Sequence, residues 1–280
     1  MPRKLFCEIS PVTYRISVEK NIMQRKVEDM LCPVRFACTR SAQPLPVVIY
    51  RHNSLIRRRL GNVDMRLQEN KAVNLSIAAP CFSNVLIRPG ETFSFWRLVG
   101  RDTEKRGFRE GLTISAGKTS SGIGGGMCQF TNLIHWLVLH SDLTITEHHH
   151  HDGYDLFPDH NRQIPFGTGT SIMYNYLDYR VRNDTDNTYQ LIVFTNEEYL
   201  CGELRAEKPQ AYKYHIRVRD ERFTREEDGV YRNGTVIRRR VERSSGKRVS
   251  EQVIRVNHAR VMYDTSALII EECEKQSVGG

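Results

Sequence analysis

Residues 121–140 read SGIGGGMCQFTNLIHWLVLH, and this stretch decides how the rest of the chain is interpreted. Three consecutive glycines and a methionine lead to a lone cysteine, Cys128. The apolar residues that follow are Phe130, Leu133, Ile134, Leu137 and Val138. Their spacing is that of an amphipathic helix with one buried stripe. The pattern therefore predicts a helix that begins at or beside Cys128.

A cysteine at the start of a helix is a candidate nucleophile. Unpaired N–H groups and the positive end of the helix dipole favour thiolate over thiol at this position. Gly124, Gly125 and Gly126 leave the backbone bare, so a substrate can approach the sulfur and find N–H donors for an oxyanion. The alternative is a buried cysteine beside a sharp turn or a close packing contact. A phosphate cradle is disfavoured, because no GK[ST] sequence follows the glycines.

The composition indicates a soluble globular protein. The chain has 280 residues, 39% of them hydrophobic and 26% charged, and carries a net charge of +8. Its seven cysteines are scattered without a CxxC pair, which indicates reduced thiols rather than a disulfide framework. Residues 1–26 contain no apolar run of signal-peptide length, and we see no membrane-spanning stretch. We therefore expect a cytoplasmic location, peripheral to the inner face of the membrane where the basic segment meets it.

The positive charge is concentrated in the N-terminal segment. Residues 1–70 contain 13 Lys and Arg against 6 Asp and Glu. Such a segment is most often a solvated face, and we expect no nucleic acid. The alternative partner is an anionic membrane surface.

The remaining elements are predicted from periodicity and turn residues. Residues 65–79 have helical spacing, and Pro80 is expected to end that helix. Two strands joined by a Pro-Gly turn are expected over 85–100, and further strands over 112–116, 171–182 and 188–195. Residues 212–263 are typical of an antiparallel β appendage with a turn at Asn233-Gly234. Arg101 follows the Pro-Gly hairpin on a loop, where it can hold a carboxylate.

A thiol nucleophile needs an imidazole to take its proton and a third group to orient that imidazole. His135 is two helical turns from Cys128, too far to touch the sulfur. The run His148 to His151 is better placed, and in an extended segment His149 and His151 share one face. Asp178 is a candidate to orient the histidine, although a surface ion pair with Arg180 or Arg182 is favoured when the residue is considered alone. The same histidines, with Asp152 or Asp155, can also form a metal site.

Several motifs occur in an order that resembles the VanW family. They are NLSIAA at 74–79, RPGETFSFWRLVG at 88–100, GIGGGMCQ at 122–129, EHHHHD at 147–152, FPDHNRQIPFGTGT at 157–170 and YNYLDYRVRN at 174–183. The resemblance covers about residues 70–205. The combination of GGGxCQ, PGExFSF and the later strand in this order is far more specific than any one motif.

The resemblance implies a role in bacterial cell-wall metabolism, since some members of the family act as L,D-transpeptidases. It implies that Cys128 is the acyl acceptor and that Gln129 follows it. It carries the family's histidines onto His149 and His151, and its strand Asp and Asn onto Asp178 and Asn183. This chain has His148 and His150 where the family has arginines, which keeps the metal interpretation open.

Together these observations predict an α+β fold in which a nucleophile helix packs on an antiparallel sheet, in the papain-like order of Cys then His. We expect a basic segment over 1–70, a core domain over 71–205 and a C-terminal β-hairpin appendage over 206–280. The predicted function is cysteine-dependent acyl transfer on peptidoglycan stem peptides, without a cofactor, accessory to glycopeptide resistance. The expected site consists of Cys128, His151, His149 and Asp178, with Gly124, Gly125, Gly126, Gln129, Arg101 and Asn183 binding substrate. The alternatives are a metal-dependent peptidase or amidase at the histidines, and a non-catalytic protein that binds wall precursors.

Overall fold

The computed structural model describes residues 5–58, 64–115, 118–150, 153–159 and 163–272. The helices are α1 (Pro11–Leu31), α2 (Met65–Phe82), α3 (Phe95–Val99) and α4 (Cys128–Val138). The strands are β1 (Arg35–Phe36), β2 (Val47–Leu55), β3 (Val85–Ile87), β4 (Glu91–Ser94), β5 (Glu110–Ser115), β6 (Lys118–Ile123), β7 (Thr144–Glu147), β8 (Tyr154–Asp155), β9 (Arg180–Arg182), β10 (Tyr189–Thr195), β11 (Tyr199–Ala206), β12 (Tyr212–Glu226), β13 (Gly229–Glu242), β14 (Arg248–Val261) and β15 (Ile270–Glu272). The protein is therefore α+β and rich in sheet, and the predicted fold class is confirmed at this level.

Helix α4 packs on an antiparallel sheet, in the strand order β2-β11-β10-β3. The predicted helix is confirmed, and the side chains of its apolar stripe are at most 3% exposed. Gly202 on β11 lets α4 approach closely, since a Cβ there would lie 2.9 Å from Leu133 Cδ2. Strand β2, from the predicted N-terminal segment, pairs with β11 at the edge of this sheet. The domain boundaries at 70/71 and 205/206 stay predictions.

A second sheet, in the order β1-β4-β9-β7, places the histidine run beside α4. Strand β9 pairs antiparallel with both β4 and β7. The predicted strand over 171–182 is wrong for most of its length, since β9 spans only Arg180–Arg182. The side chain of Asp178 is consequently in a buried loop, where polar groups of β4 and α3 surround it.

The long C-terminal strands β12, β13 and β14 form an antiparallel meander. Strand β15 pairs parallel with β12, and β8 pairs parallel with β14. The predicted turn at Asn233-Gly234 is wrong, because both residues lie inside β13. The pairing of β12 with β13 shifts register between Arg219 and Arg222, and Gly234 lies against this irregularity of β12.

Two other expectations are also wrong. Residues 95–99 form α3 rather than the second strand of a hairpin, and Ser94 Oγ caps this helix by accepting from the N–H of Arg97. Pro80 lies inside α2, which continues to Phe82. The ring of Phe82 is fully buried against the rings of Phe95 and Phe130, with centroid separations of 5.4 and 5.0 Å. This burial holds the last turn of α2 in the core despite the proline. Among the described helices, none has the length and apolar character needed to cross a bilayer.

Candidate functional site

Cys128 is the first residue of α4, as the sequence predicts. The residue before it, Met127, is helical in φ and ψ and provides no side-chain cap. The backbone N–H groups of Gly126 and Met127 have no acceptor among the described residues. Uncapped N–H groups at a helix start can hold an oxyanion or a carboxylate.

The three glycines are required by close packing on three different elements. A Cβ at Gly124 would lie 2.0 Å from the Asp102 carboxylate, and one at Gly125 would lie 2.1 Å from the backbone of Gly111. A Cβ at Gly126 would lie 2.3 Å from Lys71 Cγ. These contacts account for all three glycines without a substrate. The packing interpretation therefore explains their sequence, while their role in substrate binding stays a prediction.

The environment of the Cys128 thiol differs from the expectation. Part of the residue is exposed, yet burial raises the pKa of the Cys128 thiol above its ordinary value. Hydrogen bonds from the backbone of Ile172 and of Cys128 itself lower the pKa, but burial outweighs them. In the free protein, burial therefore outweighs the groups at the helix start that favour thiolate.

The histidine run follows β7, and its side chains alternate in direction as predicted. The rings of His148 and His150 are 3.9 Å apart, and the His148 ring also lies 4.1 Å from that of His135 on α4. His149 is directed elsewhere, with Nε2 lying 3.0 Å from Glu147 Oε1. The predicted base His151, and Asp152, lie outside the described residues, so the shared face of His149 and His151 stays a prediction.

His135 is a buried core histidine. It is 1% exposed, and its Nδ1 lies 3.1 Å from the hydroxyl of Tyr179. Its Nε2 has no hydrogen-bond partner among the described residues. Burial, with the neighbouring His148, His150 and Arg238, lowers the pKa of His135 well below its ordinary value. Burial likewise lowers the pKa of His148 to about 4. Both of these imidazoles are therefore neutral at physiological pH.

Residues 170–172 connect Cys128 to the histidine strand. The N–H of Thr170 donates to Asn132 Oδ1 on α4 over 2.7 Å, and the N–H of Ser171 donates to the carbonyl of His149 over 2.7 Å. The next residue, Ile172, hydrogen-bonds to the Cys128 thiol through its backbone. One extended segment thus links the thiol to the backbone of the candidate histidine.

Asp178 does not contact a histidine among the described residues. Its side chain is 0% exposed and accepts from Ser94 Oγ at 2.5 Å, the N–H of Trp96 at 3.0 Å and Arg180 Nε at 2.9 Å. Burial nevertheless raises the pKa of Asp178. The expected surface ion pair is replaced by a buried one, and the expected orientation of His149 by Asp178 is not present.

Among the described residues, the carboxylate that contacts His149 belongs to Glu147 rather than to Asp178. Its Oε1 lies 3.0 Å from His149 Nε2 and accepts from the N–H of Asp178 over 2.9 Å. Its Oε2 contacts Arg25 on α1 and lies 3.5 Å from Arg180 Nε. The sequence analysis missed Glu147, although side chains two apart in an extended segment share a face. That alternation is the signal that could have found it.

The proposed substrate-binding polar residues mostly hold the fold together. Gln129 Nε2 donates to Ser54 Oγ and to the carbonyl of Leu55, both over 2.9 Å. Asn183 is 0% exposed, and its Nδ2 donates to the carbonyls of Ile87 and Asn187. Arg101 is at the surface, where it pairs with Glu19 of α1. Of these three residues, Arg101 is the one whose side chain is exposed at the surface.

Two ionisable groups, the buried Lys71 and the half-buried Asp102, flank the glycine turn and were not found from the sequence. Lys71 Nζ donates to Gln68 Oε1 over 2.7 Å, and burial with the nearby Arg58 and Arg57 lowers the pKa of Lys71 to about 7. Burial raises the pKa of Asp102 to about 6. Their positions depend on contacts with a turn some fifty and twenty residues later, so local sequence carries no signal for them.

The metal interpretation finds no support in the described ranges. No group of three or more His, Cys, Asp or Glu side chains there could hold a metal ion. Asp155 instead pairs with the buried Arg232, with a separation of 3.2 Å. His148 and His150 pack ring against ring.

The fold and site together define an α+β protein with a single cysteine at the start of a core helix, and with a run of histidines that follows β7 and packs beside that helix. The family model described as VanW like protein matches residues 70–205. The chain is 35% identical over 228 residues to Vancomycin B-type resistance protein VanW of Enterococcus faecalis, which covers 81% of this chain and 82% of that protein. This chain belongs to the VanW family.

The chain is also similar to Uncharacterized protein YoaR of Bacillus subtilis. That similarity is 28% identity over 118 residues, or 41% of this chain and 36% of that protein. No solved structure matches the chain. The comparisons therefore establish the family.

Proposed function

We propose that the protein catalyses cysteine-dependent acyl transfer on peptidoglycan stem peptides, with Cys128 as the acyl acceptor. The observation that carries the proposal is the link from Cys128 through residues 171–172 to His149, whose imidazole Glu147 orients. A thiol, an imidazole and an orienting carboxylate are the three groups that this chemistry needs. Along the chain the cysteine, at the start of α4, precedes the histidine, which follows β7.

In the first half-reaction the Cys128 sulfur attacks the carbonyl carbon of the amide between an L-centre and a D-residue. A C–S bond forms, His149 or His151 takes the thiol proton, and the imidazolium returns it to the leaving amine as the C–N bond breaks. In the second half-reaction an acceptor amine attacks the thioester, a C–N bond forms and the C–S bond breaks. The imidazole takes the proton of the acceptor amine and returns it to the Cys128 sulfur. The free N–H groups of Gly126 and Met127 would hold the oxyanion in both steps.

The raised pKa of the thiol requires that the imidazole act on a neutral Cys128 rather than on a resident thiolate. A general base of this kind contributes about 10²–10⁴ in rate. Displacement of the Ile172 hydrogen bond by substrate would free the sulfur lone pair for attack. Substrate binding and activation of the nucleophile would then be one event.

The family relationship supports a role accessory to vancomycin resistance, because the E. faecalis relative carries that role in its name. An L,D-cross-link uses a donor without the terminal D-Ala-D-Ala that glycopeptides bind. A strain that depends on this protein for resistance should therefore lose resistance when Cys128 is replaced by alanine.

The direct test is acyl transfer from a tetrapeptide stem donor to an amine acceptor, with intact-mass detection of the thioester. The wild type should form an adduct on Cys128 that hydroxylamine removes, and Cys128→Ala should form none. Cys32→Ala, at an exposed cysteine, is the matched control and should behave as wild type. Chelator should not change the rate. Undiminished turnover by Cys128→Ala would refute the proposal.

A second candidate is a non-catalytic protein that binds wall precursors. The observation that favours it is the burial that raises the pKa of the Cys128 thiol. A buried thiol with a raised pKa is also typical of a structural cysteine. Equal binding of a stem peptide by wild type and Cys128→Ala, with no turnover by either, would identify this function.

A further inference from the structure

Helix α1 is attached to the rest of the protein mainly through charged groups. Arg25 contacts Glu147, and Asp29 pairs with Arg180 over 2.7 Å. Midway along the helix, Glu19 pairs with Arg101. Ile22 is the one buried residue of the helix. The inward face of α1 is therefore ionic, the reverse of an ordinary surface helix.

The outward face of α1 carries an apolar stripe. Val12, Ile16, Met23, Val27 and Met30 are 68%, 52%, 69%, 43% and 76% exposed. Their spacing of four, seven, four and three residues places them on one side of the helix. Glu19 and Lys20 lie in the gap between Ile16 and Met23, and the apolar residues on either side of them are exposed to water. Exposed apolar residues grouped on one side of a helix mark an interaction surface.

Basic side chains border the stripe. Arg15, Lys20 and Lys26 are exposed and have no ion pair with a described carboxylate. The acidic residue nearest the stripe, Glu19, is engaged by Arg101. The other exposed acid of the helix, Glu28, is on a different side, where Gln24 donates to it over 2.9 Å. The border of the stripe is therefore positively charged.

We propose that this stripe docks α1 on an anionic lipid surface, with the helix axis parallel to the membrane plane. An apolar face bordered by Lys and Arg is the pattern of an interfacial helix, which buries the apolar side chains and keeps its cations at the headgroups. A second copy of the chain fits less well, because its own basic border would meet that of the first. An anionic lipid surface complements both the stripe and its border.

The inference does not depend on the proposed catalysis. It does place the candidate site near the lipid surface, because Arg25 and Asp29 of α1 contact Glu147 and Arg180 beside His149. Docking would therefore present the histidine strand to substrates held at that surface.

The test is co-sedimentation of the full chain with phosphatidylglycerol vesicles, against phosphatidylcholine vesicles, at low and high salt. Wild type should bind phosphatidylglycerol at low salt and weaken with salt. Ile16→Ser with Met23→Ser should lower binding about 10-fold or more. Val249→Ser with Val253→Ser, at exposed apolar residues of β14, is the matched control and should bind as wild type.

A second measurement avoids dependence on the folding of the double variant. Met23→Trp places a new fluorophore in the stripe, while Trp96 and Trp136 are buried, at 3% and 7% exposed. Its emission should shift to the blue on addition of phosphatidylglycerol vesicles and stay unshifted with phosphatidylcholine. The proposal would be overturned if the emission of Met23→Trp did not shift, or if wild type and the Ile16→Ser, Met23→Ser variant bound vesicles equally. It would also be overturned if the wild type formed a dimer that these substitutions disrupt and did not bind vesicles.

Discussion

The carboxylate of Glu147 and the imidazole of His149 lie 3.0 Å apart, Oε1 to Nε2. The same carboxylate contacts Arg25 and lies 3.5 Å from Arg180, so it is held from the other side by two cations. A carboxylate fixed in this way can orient an imidazole. Among the described residues, Glu147 rather than Asp178 contacts a histidine of the run, and the proposed catalysis therefore assigns the orienting role to Glu147.

Replacing Glu147 by Gln should therefore lower the rate of acyl transfer by about 10-fold or more while a folded protein remains. Glutamine keeps the size of the side chain but removes the charge that balances an imidazolium. The measurement is the turnover of a stem-peptide donor, together with its pH profile. The control for the loss of an ion pair is Glu203→Gln. This variant removes a carboxylate on β11 that pairs with Arg51 of β2 and with Arg205 of β11. Equal rates in the two variants would contradict the orienting role.

Much of the site was predictable from the sequence because it depends on local periodicity. The spacing of the apolar residues located α4 and placed Cys128 at its start. The alternation of an extended segment separated His149 from His148 and His150. The burial of Asp178 was not predictable, because the groups that surround it belong to Ser94 and Trp96, more than eighty residues earlier. Such burial is set by pairing between distant strands.

The burial of Lys71 beside the glycine turn was likewise not predictable from the local sequence. Helical spacing predicted the element that carries Lys71, but its burial against Gly126 depends on a contact across the fold. Desolvation by such contacts also reversed the expected direction of the Cys128 pKa. Local sequence predicts which backbone groups are near a side chain, whereas tertiary packing decides how much water it retains.

The packing explanation of the glycines predicts a specific loss of stability. Gly126 has φ of 94°, and a Cβ there would overlap the Lys71 stem. Gly126→Ala should lower the free energy of unfolding by the cost of a positive φ, about 1 kcal/mol, plus about 1–3 kcal/mol for the overlap. Urea unfolding measures the change.

Gly246→Ala is the matched control, since Gly246 has φ of 69° and nothing lies within 4 Å of its added Cβ. Gly246→Ala should lower the free energy of unfolding only by the cost of the positive φ, about 1 kcal/mol. If the two variants are equally stable, the close contact with Lys71 does not shape the turn.

The order in which the cysteines react with iodoacetamide follows from the burial of Cys128. Cys32 and Cys38 are exposed and should be alkylated before Cys128 in the free protein at neutral pH. The raised pKa of Cys128 should shift its alkylation to higher pH than theirs. Peptide mass mapping across a pH series measures the order. Faster labelling of Cys128 at pH 7 would show a resident thiolate and contradict the burial argument.

Lys71 predicts a pH dependence of stability with a definite sign. Burial lowers the pKa of Lys71 from an ordinary 10.5 to about 7 in the folded protein. Between these values the unfolded chain binds more protons than the folded one, so the free energy of unfolding should rise with pH. The contribution of Lys71 is at most about 1.4 kcal/mol per pH unit in this window and vanishes below it. Lys71→Met should remove the slope, whereas Lys247→Met, at an exposed lysine, should preserve it. Urea unfolding at pH 7, 8 and 9 measures all three proteins, and parallel profiles for wild type and Lys71→Met would show that Lys71 keeps its ordinary pKa.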